Sequence, residues 1–346
     1  MGPSTSVNEV APIRRVAFLM VGVLVLEAAF AISYVGGLHD PRPHRVPVVV
    51  VGPAIAFAQV ERAAEAAAPG ALEISSAADE ARARAAIGRR SAYGAYVFGT
   101  STDRLLVASA AGPAVAQLLR DQASRIAATA GRPLEVVDVR PLPTSDSRGL
   151  SSFYLVVSWV VGGYLVATIV GLSRGMAGRS RRLATARLGA LVGFALASGI
   201  VTATAIGPVM GVLHGHGPVL ALEGALVVFA VATFTTAIES LAGIAGTGLA
   251  ILLFVVLGNP SSGGPFPPEL LPGFWRSIGM AIPPGAGTAL VRNTMYFGGH
   301  ATAPALLVLS TYGVVGVLGT LFLAGRHRPL DPVEGEVGEP TSGGSA

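Results

Sequence analysis

Apolar residues gather into six long runs: Val16–Val35, Phe153–Leu172, Leu188–Met210, Pro218–Ile238, Leu241–Leu257 and Ala303–Ala324. A bilayer core takes about 20 mostly apolar residues per helix, so each run predicts a transmembrane helix. The fourth and fifth runs are separated only by Glu239 and Ser240. One helix across both would be about twice as long as a membrane is thick. The pattern therefore predicts two spans joined by a tight turn at Glu239–Ser240.

Between the first and second runs the periodicity changes. Arg45–Val51 predicts a buried strand, ended by Gly52-Pro53. Ala54–Ala68 predicts a helix stopped by Pro69-Gly70, and Leu72–Ile74 a short strand. Ser76 and Asp79 have capping-box spacing ahead of a helix that runs to about Ile87. Tyr93–Phe98 and Arg104–Ser109 predict strands around a turn at Gly99–Asp103. A helix from Pro113 places Val115, Leu118, Leu119, Gln122 and Ile126 along one side; Gly131 and Pro133 end it, and Leu134–Val139 is a last strand. Strands interleaved with helices over 37–150 predict a small α/β domain.

The stretch from Asn259 to Gly299 fits neither pattern. It is largely apolar yet holds seven prolines: Pro260, Pro265, Pro267, Pro268, Pro272, Pro283 and Pro284. These divide it into pieces, with short helices expected over Glu269–Gly279 and Gly287–Tyr296. Phe274 and Trp275 suit a membrane interface. The expectation is a re-entrant or interfacial hairpin at 259–299, whose non-helical backbone is buried in protein or lines a wet cavity. A lid without a transport role is the alternative.

Composition narrows the class. Of 346 residues, 51% are hydrophobic and 13% charged, and mean hydropathy is +0.62. That charge is about half the share usual in soluble domains. With no Cys and no Lys, the chain has no thiolate ligand, no P-loop lysine and no Schiff base. Net charge is +4 and the arginines are dispersed or juxtamembrane, so nucleic-acid binding is not expected. The short flanks of one side carry Arg14, Arg15, Arg174, Arg179, Arg181, Arg182, Arg187, Arg326 and Arg328; those of the other carry Arg276 and Arg292. The positive-inside rule then puts both termini and the 173–187 loop in the cytoplasm and 37–150 outside. The first run is long for a signal peptide, so a retained anchor is expected despite the cleavage-like Ala29-Phe30-Ala31.

The predicted architecture is a polytopic α-helical membrane protein with six transmembrane helices. A small extracytoplasmic α/β domain is inserted between the first and second helices. A short cytoplasmic N-terminus covers 1–13, the first helix 14–36, the inserted domain 37–150 and the five-helix membrane domain 151–326. A disordered tail is expected over 327–346.

Candidate chemistry is sparse. Acidic residues inside apolar runs are costly and usually have a reason. Glu27 and Glu223 are candidates for the polar wall of a substrate path or a proton relay, against the alternative of an interhelical hydrogen bond. Glu239 is expected at a turn, or as an ion-pair partner of the Arg-rich loop. Gly163/Ala167, Gly189/Gly193 and Ala221/Ala225 have the small-xxx-small spacing of close helix contacts. His39, Asp40 and His44 sit in a Pro-containing linker better suited to a stalk than a metal site, and His214 and His216 in a loop. There is no HExxH and no GxxxxGK[ST] pattern, and the G-x-S-x-G match at Gly171–Gly175 closes an apolar helical run and is no strand-to-helix elbow, so neither a catalytic set nor a cofactor is expected.

One span, a large insertion, then five spans with a Pro-rich apolar hairpin before the last resembles an ABC transporter permease of the type-2 exporter class. The series Pro260, Leu271-Pro272, Phe274-Trp275, Pro283-Pro284, Arg292 and Gly298-Gly299 is most similar to the YhgE/Pip (phage infection protein) branch. The resemblance covers about residues 12–326 in layout and 259–299 in sequence. It implies a bacterial plasma-membrane permease subunit in a homo- or heterodimer, surrounded by membrane lipid. A separate ATP-binding-cassette ATPase would supply energy, meeting the chain through Arg179, Arg181 and Arg182. An amphipathic or envelope-related substrate would move outward. The rival expectations are a non-transporting envelope scaffold or receptor, and a proton-coupled transporter using Glu27.

Overall fold

In a computed structural model the chain is described over residues 10–174, 180–213 and 215–324. The expected short N-terminus, Arg179, His214 and the tail beyond 324 lie outside those residues, apart from the first helix's opening turns. Six helices are long and apolar enough to cross a membrane: Val16–Leu38, Ser151–Ser173, Arg181–Val209, Gly217–Ala242, Ile244–Ser261 and Ala303–Leu323.

The first helix, α1 (Val10–Leu38), leads through an extended linker into a five-stranded sheet. The strands are β1 (Val46–Val51), β2 (Leu72–Ser76), β3 (Gly94–Val97), β4 (Asp103–Val107) and β5 (Leu134–Asp138). Their order is β2-β1-β3-β4-β5, with β4 antiparallel to β3 and every other neighbouring pair parallel. Helices α2 (Ala54–Ala67), α3 (Glu80–Gly88) and α4 (Pro113–Thr129) make the crossovers. β1 has strands on both sides and is buried at almost every position, which explains its unbroken Val-rich run. The cap of α3 is Asp79, whose Oδ1 accepts from the Arg82 N–H, and not Ser76. Ser76 ends β2, where strand pairing already occupies its backbone.

Asp103 anchors the β3–β4 turn. It accepts from Arg132 Nε at 2.8 Å, the Tyr96 hydroxyl at 2.8 Å and the Gly99 N–H at 3.1 Å. Burial opposes its ionisation, but the hydrogen bonds from Arg132, Tyr96 and Gly99 outweigh burial and hold its pKa below the ordinary value.

The remaining helices form a bundle. They are α5 (Ser151–Arg174), α6 (Arg181–Thr204), α7 (Gly217–Ala242), α8 (Ile244–Ile251), α9 (Gly258–Ser261), α10 (Gly273–Gly279), α11 (Pro283–Phe297) and α12 (Ala303–Leu323). A π-helical stretch, Leu252–Leu257, carries α8 into α9, and another, Ala205–Val209, extends α6. α7 is the axis. Its most apolar stretch is 67% buried, against 6% for α1. α5, α6, α11 and α12 all pack on it.

Small residues set these contacts. A side chain at Gly199 would run into the backbone of Ala221 and Ala225. Gly224 lies under Trp159, and Gly163 against Val228 and Val231. Two of the three predicted small-residue pairs thus lie at contacts. Gly189 and Gly193 do not, because they face open space. The turn after α7 also differs from expectation. The helix continues through Glu239 and Ser240 to Ala242 and reverses at Gly243, whose φ of +58° a side chain rarely adopts.

Two outcomes are expected. Gly199→Ala should destabilise the purified protein by about 1–3 kcal/mol through overpacking, while Gly189→Ala should not, as thermal unfolding in detergent would report. For Asp103, the folded-state pKa is the lower one, so its stabilisation is fully present above the ordinary carboxylate value of about 4 and is lost as pH falls below it through the folded-state pKa. Hydrogen-exchange protection of β3 and β4 should fall in that window, and Asp103→Asn should flatten the dependence.

Candidate functional site

The segment from Ser262 to Thr302 folds back against the sheet-bearing end of the bundle. Its prolines act as helix starters more than as breakers. Pro283 and Pro284 occupy the first turn of α11, where no intrahelical N–H donor is needed and φ is already set. The helix therefore begins four residues earlier than the predicted Gly287. Pro272 likewise precedes α10 and accepts from the Arg276 N–H. Pro260 is buried in α9. Gly298, at φ +61°, ends α11, and Asn293 Nδ2 ties its end to the Ala301 carbonyl at 3.0 Å.

This hairpin is clamped on several sides. The Arg42 and His44 N–H groups donate to the Leu270 and Glu269 carbonyls, so the stalk pairs with the hairpin instead of standing free. The Tyr93 hydroxyl, from the sheet, donates to Glu269 Oε2 at 2.6 Å. The Arg90 guanidinium lies 4.7 Å from the Phe297 ring centre. Leu270 and Phe297 belong to the same hydrophobic core as β1, β3 and β4. On the α1 side, Trp275 Nε1 donates to Ser33 Oγ at 3.2 Å, and Asn259 Nδ2 to the Tyr34 hydroxyl at 2.9 Å. Phe274 is exposed beside Trp275.

Arg292 holds the centre. It is 5% exposed and makes no ion pair among the described residues. Its Nη1 donates to the Gly263 carbonyl at 2.9 Å and its Nη2 to the Gly149 carbonyl at 3.3 Å. One guanidinium thus pins α11 to the hairpin's first loop and to the chain entering α5. Asp146, which is not among the candidates named from the sequence, completes that corner. Its Oδ1 accepts from the Leu150 and Ser151 N–H groups at the start of α5, and its Oδ2 from the Tyr296 hydroxyl. Its signal was an acidic residue just ahead of an apolar helix.

The three acidic residues of the apolar runs occupy different environments. Of the two expectations for Glu239, the ion pair holds and the turn does not. The residue lies within α7 and pairs with Arg187 at 2.9 Å, the two side chains being 0% and 6% exposed. Its other oxygen accepts from Thr168 of α5 at 2.6 Å and Thr247 of α8 at 3.0 Å. Four helices therefore meet on one carboxylate. Glu223, also on α7, accepts from the Thr294 hydroxyl of α11. Glu27 is exposed on α1, in a shallow apolar groove with Val16, Met20, Val23 and Leu24. Glu27 and Glu223 are not brought together: Glu27 is exposed on α1, which packs mainly on the Leu252–Ser261 stretch, while Glu223 is buried in the bundle.

No protein-family model, curated protein or solved structure matches the chain.

Arg181 and Arg182 are exposed at the start of α6, which Ser180 caps through the Leu183 N–H. No group of three His, Asp or Glu side chains suited to a metal occurs among the described residues. The site consists of a braced hairpin, a helix with one open side, and carboxylates placed between helices.

The Arg187–Glu239 pair makes a direct test. Removing one partner leaves a buried charge uncompensated, which costs about 3–5 kcal/mol. Glu239→Gln or Arg187→Met alone should sharply lower thermal stability. The double replacement should recover most of the loss.

Proposed function

We propose that the chain is one subunit of a two-subunit export permease, energised by a separate ATPase. The observation that carries this reading is the open face of α1. That helix is almost wholly exposed, yet it carries Glu27 amid apolar side chains. A carboxylate facing hydrocarbon is costly, and such residues nearly always face protein or a wet cavity. A second subunit against α1 supplies both, and the space between the two subunits becomes the substrate path.

In this reading the termini and the 173–187 loop are cytoplasmic, and 37–150 is an extracytoplasmic domain of a bacterial plasma-membrane protein. The hairpin around Pro272–Trp275 and Pro283–Arg292 closes the outer end of the path. Arg179, Arg181 and Arg182 meet the ATPase. Arg187 begins the link from that loop to α7 through Glu239, so a push on the loop reaches the bundle axis through an ion pair. An amphipathic substrate would move outward as the subunits alternate between inward and outward openings. The resemblance to type-2 exporters of the YhgE/Pip branch supports the same assignment.

One observation favours a second reading, an envelope scaffold or receptor. The hairpin shares its core with the sheet, which suits a rigid platform for a cell-wall, phage or secretion partner.

A gentle pull-down of the tagged protein from its native membrane separates the two. The permease reading expects a stoichiometric ATP-binding-cassette subunit, lost when Arg179, Arg181 and Arg182 are all changed to Ala. Recovery of envelope or secretion proteins alone, through the sheet-bearing part, would replace it with the scaffold.

A further inference from the structure

Beside Glu223 the bundle opens into a cleft of about 480 Å³. It lies between the first turns of α7, the end of α11 and the start of α12. Its walls are Leu222, Leu226, Leu290 and Leu306, and its polar groups include Glu223 and Thr294. Glu223 is 6% exposed, and its Oε2 has no hydrogen-bond partner among the described residues. Thr294 gives its only proton to Oε1, so the oxygen of this lining residue keeps acceptor capacity. No arginine lines the space; the exposed His216 stands at its edge.

We propose that this cleft binds a primary ammonium group carried on an apolar chain. The charge argument selects the headgroup. A buried carboxylate with one oxygen unused is completed by a cation that donates hydrogen bonds. A turn of the Glu223 side chain brings Oε2, shielded from solvent in this structure, to accept one ammonium N–H, and Thr294 Oγ1 accepts a second. Among the described residues a phosphate or carboxylate ligand finds no arginine in the lining, and the exposed His216 stands only at its edge. The four leucines select the tail, and the volume is that of an ordinary small-molecule site. Glu223 is six residues into α7, about 9 Å from its start, so a headgroup that enters at that end of the helix meets the carboxylate within two turns. The site deepens the permease reading by naming a substrate class, and as a transport site it rests on that reading. Binding itself requires neither an ATPase nor a second subunit, so the two ideas fail separately.

The same ammonium chemistry occurs on free alkylamines and on aminophospholipids. The test is binding of octylamine to the full-length protein in phosphatidylcholine nanodiscs, followed by ligand-observed NMR, with octanol and octanoate as matched probes. Saturable octylamine binding is expected, weakened at least about tenfold in Glu223→Gln and blocked in Leu306→Trp, which puts bulk into the cleft from its exposed leucine wall while leaving Glu223 unchanged. Thermal unfolding of both variants checks that they are folded. Repeating the titration in phosphatidylethanolamine nanodiscs distinguishes the sources: competition assigns the site to the aminolipid, and unchanged affinity assigns it to the free amine. Equal binding of octanol and octylamine, or octylamine binding that is undiminished in folded Glu223→Gln, overturns the proposal.

Discussion

Enclosure of α7 by protein is the constraint on which the rest depends. A helix surrounded by α5, α6, α11 and α12 cannot turn a polar face to water or hydrocarbon. Its acidic side chains must then be met by neighbours. Glu239 is met by Arg187, Thr168 and Thr247, and Glu223 by Thr294. Each meeting ties another helix to the axis. The contacts that admit such close approach are made by residues with little or no side chain, of which Gly199 against Ala221 is the tightest on α6. Packing and polar chemistry are therefore one arrangement: small residues bring the backbones together, and carboxylates fix their register.

The second organising element is the hairpin. It is joined to α1 through Trp275 and Ser33, to the stalk through Leu270 and Glu269, to the sheet through Tyr93, and to α5 through Arg292 and Asp146. A displacement of any one of these would be felt by the others, because the shared core of Leu270 and Phe297 leaves little room for independent movement. Under the proposed function, this is how a change at the sheet would be felt at the mouth of the path. The far end, where Arg187 reaches Glu239, is the corresponding point of entry for force from the loop.

Much of this was legible in the sequence because it rests on local patterns. Six apolar runs of the right length gave six long helices, and the Val-rich run at 46–51 gave a strand buried on both faces. The turn after α7 was misplaced because polarity at Glu239–Ser240 looked like exposure. A buried ion pair can hide such polarity, and the true turn signal was Gly243. The proline pair at 283–284 interrupts the apolar pattern like a divider, yet Pro at the first helical positions starts α11. Gly189 and Gly193 matched a contact motif that their helix turns outward. Glu223 was singled out, but its partner Thr294 and the cleft beside it were not. That juxtaposition joins residues 71 positions apart, and no local period records it. The bracing role of Arg292 was hidden for the same reason, since its acceptors are backbone carbonyls with no side-chain signature.

The central claim is that the bundle is completed by protein on the open face of α1. Its most direct test places a photoreactive benzoyl-phenylalanine at Leu24, one turn from Glu27, in the native membrane. The account predicts cross-linking to a second permease polypeptide, either another copy or a sister subunit. Labelling of lipid alone, with the chain remaining a single polypeptide, would contradict it.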